Sequence, residues 1–74
     1  MTKKVIKNNI RRLRFDADEM TQQQLADRVK ASRQTIVAIE KGKYSPSLEL
    51  AFKIADTFEK EIGEVFSYQA EANM

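Results

Sequence analysis

Residues 21–42, TQQQLADRVKASRQTIVAIEKG, leave the chain little freedom: they spell two short helices joined by a tight turn. Thr21 is placed to cap the first of them while Gln24, three residues on, reaches back to the Thr21 backbone N–H. Met20 before the cap and Leu25 inside the helix form a hydrophobic staple that fixes the entry angle. Leu25, Ala26 and Val29 then make a narrow apolar stripe among Gln22, Gln23, Asp27 and Arg28. The stripe ends near Lys30, and Ser32 caps a second helix. Ile36 and Ile39 are the only large residues on its inner face, and Gly42 ends it where a left-handed residue is cheapest.

At about 100° per residue, Arg33, Gln34, Val37, Ala38 and Lys41 share the opposite face of that second helix. Arg and Gln side by side in a first turn can each make two hydrogen bonds to a base edge, Arg to guanine O6/N7 and Gln to adenine N6/N7. Ala38 and Val37, one turn later, are small enough to let the helix lie close to a groove floor and to touch a thymine methyl. Arg and Gln are also good helix formers, so the residues taken alone fit a solvated helix face as well.

At 74 residues the chain has room for one small core and no deep catalytic cavity. It has no Cys and no His, which removes disulfides, thiolate chemistry, the commonest metal ligand and the commonest general base. No cofactor, metal or small-molecule site is expected. Apolar runs are only a few residues long and the N-terminal stretch has no apolar signal region, so the expected location is the cytoplasm and no membrane contact is foreseen. Charge is uneven. Residues 1–43 hold eleven Lys/Arg against five Asp/Glu, a net +6, whereas residues 44–74 hold two against six, a net −4. An anionic polymer would meet the half that contains the helix pair.

The remainder reads as support. Residues 1–7 form a basic arm or one short strand around Val5 and Ile6. Asn8 or Asn9 caps a first helix with apolar Ile10, Leu13 and Ala17 interleaved with Arg11, Arg12 and Arg14, and FDADEM then loses the period and forms the connection. After Gly42, KYSPS is a loop, Ser45 or Ser47 offers a cap, and Leu48, Ala51, Phe52, Ala55 and Phe58 predict a central core helix. Ile62, Val65 and Phe66 predict one more short helix despite Gly63. Ser67, Tyr68 and Gln69 can pair as a strand with the Val5 region, and AEANM is a polar end expected to fray. The expected architecture is a single all-α domain: a compact five-helix bundle over 8–66 with a helix-turn-helix inside it, an arm at 1–7 and a strand or tail at 67–74, the termini forming a short antiparallel sheet.

The spacing IxxLR, then TQxxLAxxVxxSxxTIxxIExGKxxPSLxxAxKIA, resembles the Cro/C1-type (XRE-type) helix-turn-helix domain from Ile10 to Phe66, and so implies the lambda-repressor-like fold. The tail VFSYQ is similar to that of small stand-alone repressors such as the cytolysin-operon regulator. Carried over position by position, the resemblance implies that Arg33, Gln34 and Ala38 face bases, that Gln22 sits on a phosphate with Thr35, Lys41, Lys43 and Tyr44 near the sugar-phosphate backbone, and that Arg14 pairs with Glu40 inside the domain; by their place on the same helix Val37 joins the expected base-reading set and Ser32 the backbone set. The chain departs from the pattern in three places. It has one extra residue between Arg14 and Thr21, Lys30 where the turn often has Gly, and Glu59 and Glu61 where Gly and a Ser/Thr cap are common. These leave the angle of the helix pair and the last helix open.

The resulting expectation is a sequence-specific binder of double-stranded DNA, a repressor acting as a homodimer on a palindromic operator. The dimer contact is expected around Ile62, Val65, Phe66 and Tyr68, where ordinary core closure is the competing account. A protein-interaction module, an antitoxin or a restriction-modification controller would use the same fold. An enzyme is not expected: Asp16, Asp18 and Glu19 are carboxylates of an acidic connection without a cage for a metal.

Overall fold

A computed structural model describes residues 3–71. Its elements run β1 (Lys4–Asn8), α1 (Ile10–Asp16), α2 (Gln22–Val29), α3 (Arg33–Glu40), α4 (Leu48–Thr57), α5 (Ile62–Val65) and β2 (Phe66–Ala70). Five helices with a two-stranded antiparallel sheet match the expected architecture. Met1 and Thr2 of the basic arm and residues 72–74 of the polar end lie outside the described residues.

Each helix starts where its local chemistry says. Thr21 Oγ1 accepts from the Gln24 amide at 3.0 Å and Gln24 Oε1 accepts from the Thr21 amide at 2.8 Å, closing the capping box of α2. Ser32 and Ser47 hydroxyls accept from the amides of Thr35 and Leu50 and cap α3 and α4. At α1 the two asparagines divide the work. The Asn8 side chain accepts from the Ile10 amide, while Asn9 is the cap residue and spends its side chain on the Glu64 carbonyl.

The ends of α2, α3 and α4 follow one plan with different residues. After α3, the Gly42 amide bonds to the Ile39 carbonyl and the Lys43 amide to the Ala38 carbonyl around a φ of +75° at Gly42. The same pair of bonds closes α2 around Lys30 (φ 58°) and α4 around Glu59 (φ 55°). The two departures at 30 and 59 thus keep the left-handed turn and bear its cost, of about 1–2 kcal/mol each. α5 forms despite Glu61 and Gly63 because Glu64 reaches back to the Glu61 amide at 2.9 Å. α1 runs to Asp16, two residues into the stretch expected as a connection, and the chain turns at Asp18 and Glu19, both with positive φ.

The core is Ile10, Met20, Leu25, Ala26, Val29, Ile36, Ile39, Ile54, Ala55 and Val65, with Ala51 also buried. One expectation needs correcting. The inner row of α4 is Ala51, Ile54 and Ala55 with half-buried Phe58 behind it, whereas Leu48 and Phe52 are 69% and 53% exposed. Phe52 lies about 100° round the helix from the middle of that row, on the edge of an apolar stripe wider than this core can cover, whereas Leu48 is the first residue of α4 and sits at its end.

β1 and β2 pair from Lys4↔Ala70 to Asn8↔Phe66. The Asn9 amide extends the ladder to the Val65 carbonyl, tying the N-terminal strand to the end of the bundle. Ile6 and Tyr68 face each other across it, both largely exposed.

Candidate nucleic-acid interface

α2 fixes how α3 is presented. Leu25, Ala26 and Val29 are buried on one helix, Ile36 and Ile39 on the other, and the left-handed Lys30 with the Ala31 amide on the Ala26 carbonyl sets the turn between them. With its inner side spent on the core, α3 turns Arg33 and Gln34 out, both exposed, and Val37 and Ala38 half-out one turn later. These four and Lys41 and Lys43 line one shallow trough along the helix. Lys43 is brought there by the helix-ending bond from its amide to the Ala38 carbonyl. Tyr44 follows, 52% exposed. Ser32 and Thr35 stand at the head of α3 with their hydroxyls 2.8 Å apart.

Behind the trough lies a charged network. Arg14 Nε donates to Glu40 Oε2 at 2.7 Å and Nη2 to Oε1 at 3.0 Å, with the two side chains only 15% and 9% exposed. Arg14 Nη1 donates to the Met20 carbonyl at 2.8 Å, so one guanidinium ties α1, the entry to α2 and the end of α3. Gln22 Nε2 lies 3.4 Å from Glu40 Oε1, a long hydrogen bond that aims its amide along the start of α2. Among the described residues no buried side-chain polar atom lacks a partner.

From the sequence Asn8 is only a candidate cap. Its Nδ2 donates to the Ile39 carbonyl at 3.0 Å, so the end of β1 also holds the end of α3. No local signal announces that contact, which spans 31 residues.

The residues expected at a dimer contact divide. Ile62, Phe66 and Tyr68 come together with Ile6, Leu48 and Ala51 around one apolar groove between α4, α5 and the sheet. Val65 does not belong with them: it is wholly buried, and its side chain closes the core. Leu48 and Ile6 were missed. The helical spacing of Leu48, Ala51, Phe52, Ala55 and Phe58 points Leu48 to the core, and Ile6 gains its place only through the sheet register. No group of three His, Cys, Asp or Glu residues among the described residues could hold a metal ion, and no helix of the described residues is long and apolar enough to cross a membrane.

Comparison with known proteins gives one consistent result. The helix-turn-helix family profile matches residues 10–65. An uncharacterised HTH-type transcriptional regulator of Methanocaldococcus jannaschii is 58% identical over 50 residues, 68% of this chain and 76% of that protein. Another from Archaeoglobus fulgidus is 54% identical over 52 residues, covering 70% and 73% of the two chains. A third, from Bacillus subtilis, is 41% identical over 66 residues, 89% of this chain and 98% of that one.

Proposed function

This chain belongs to the Cro/C1-type helix-turn-helix family, and we propose that it regulates transcription by reading the major groove of double-stranded DNA with α3. The observation that carries this reading is the exposed Arg33–Gln34 pair at the first turn of a helix anchored from behind by Ile36 and Ile39. Anchoring matters because bidentate readout needs a side chain whose base is fixed, and it is the backbone of α3 that the core and the Arg14–Glu40 pair hold. Arg33 and Gln34 supply direct readout, Val37 and Ala38 the close apolar approach, and Lys41, Lys43, Tyr44, Ser32, Thr35 and Gln22 the phosphate contacts that set register.

One copy of α3 covers only a few base pairs, so the reading includes a homodimer on a two-fold operator, with the two helices about 34 Å apart in successive turns of the groove. The apolar groove of Leu48, Ile62, Phe66 and Tyr68 supports this, because such a surface on a small domain asks for cover. A dimer seated on an operator that overlaps a promoter represses by excluding polymerase.

The test separates base reading from backbone charge. Arg33→Ala should lose about 1–3 kcal/mol at one base pair and relax the preference there, whereas Lys43→Ala should weaken every duplex alike. Equal loss on all sequences for Arg33→Ala would refute its base-reading role.

A further inference from the structure

The three arginines of α1 have three different fates. Arg14 is largely buried against Glu40. Arg12, its side chain 79% exposed, lies 3.4 Å from Asp16 one turn along the same helix. Arg11 is exposed and makes no ion pair among the described residues. It lines a concavity between α1, the start of α2 and α3, into which Gln22, Arg33 and Lys41 also open. Glu40 on that wall is already matched by Arg14, so three free cations face one carboxylate, Glu19. Phe15, one turn after Arg11 and 66% exposed, gives the same wall an apolar edge.

A concavity that keeps unpaired cations beside the reading helix suits a polyanion better than a protein partner, since unpaired like charges there would repel one another unless a counter-charge arrives. We infer that Arg11 is a further DNA-backbone contact, holding a phosphate on the strand that passes between α1 and the α2–α3 unit. This rests on the DNA-binding reading and enlarges it: the footprint extends onto α1, beyond the helix pair. Arg11 reads no base; it adds affinity, and it makes that affinity depend on salt.

Arg12 supplies the control. Arg11→Ala and Arg12→Ala remove the same charge from adjacent residues of one helix, but only Arg11 opens into the concavity. Binding of the full chain to a selected duplex and to a shuffled one is measured by fluorescence anisotropy between 50 and 200 mM salt. Each lost phosphate contact lowers the log–log salt slope by about 0.9, so over this range wild type should lose roughly threefold more affinity than Arg11→Ala, on both duplexes. Arg12→Ala should keep the wild-type slope, and Arg11→Lys should retain most of it. Equal slope changes for the two alanine variants, or none for either, would overturn the contact while leaving the DNA reading intact. A wild-type protein that binds neither duplex would overturn both.

Discussion

Glu40→Ala should be among the most damaging single changes in this protein, and the reason lies in what it leaves behind. Wild-type Arg14 has three good acceptors, two on Glu40 and one on the Met20 carbonyl, and its side chain is 15% exposed. Without Glu40 a guanidinium stays inside with one carbonyl partner, a loss of about 3–5 kcal/mol. At about 0.05–0.15 kcal/mol per residue, 74 residues hold roughly 4–11 kcal/mol in all. One substitution therefore removes much of the margin. The favourable pairing itself is largely offset by the desolvation of both charges, so replacing the two together, Arg14→Met with Glu40→Leu, should lie closer to wild type than either single change. Urea denaturation followed by far-UV circular dichroism gives the four corners of the cycle, and the coupling should reach about 2 kcal/mol. Single variants that each cost under about 1 kcal/mol and simply add would refute the claim that this pair clamps α1 to α3.

Other substitutions test other parts of the account. Lys30→Gly and Glu59→Gly, at φ 58° and 55°, should each stabilise by about 0.5–1 kcal/mol, because relief of left-handed strain exceeds the extra freedom given to the unfolded chain; each raises the thermal midpoint by several degrees. Ile54→Ala, in the inner row of α4, should cost about 2–5 kcal/mol in the same denaturation assay, and Phe52→Ala, on the exposed edge, under about 1. Leu48→Glu should leave the fold intact yet give a monomer by sedimentation velocity, since a buried, repeated carboxylate across a two-fold contact is strongly unfavourable. An unchanged dimer in Leu48→Glu would move the contact elsewhere.

What could be read from the sequence was whatever depends on near neighbours. The Thr21–Gln24 box, the Ser32 cap, the Gly42 ending and the narrow stripe of α2 are all decided within a few residues. The placement of Arg33 and Gln34 on an outer face followed from helical period alone, because Ile36 and Ile39 admit only one inner face. α4 misled because its apolar residues satisfy two overlapping rows, and periodicity cannot say which row a small core will take. Choosing Ala51, Ile54 and Ala55 leaves Phe52 outside, and Leu48, at the first position of the helix, is exposed as well, which only the packed neighbours decide. Val65 follows the competing account, core closure, for the related reason that four terminal apolar residues carry no sign of which one points in. Asn8 on Ile39, and Arg11 on the wall of the same concavity as Lys41, are meetings of distant segments. Arg11 had one usable signal: it precedes Arg14 by three residues, so a partner for Arg14 on α3 already puts Arg11 on the α3 side of α1.

Selection of bound sequences from a random duplex pool, using the full chain and Arg33→Ala in parallel, tests the central claim most directly. The account predicts a two-fold symmetric motif whose half-sites lie about one helical turn apart, with one base pair in each half losing its preference in Arg33→Ala. No enrichment by the wild-type chain, or an enriched motif that Arg33→Ala leaves unaltered at every position, would contradict it.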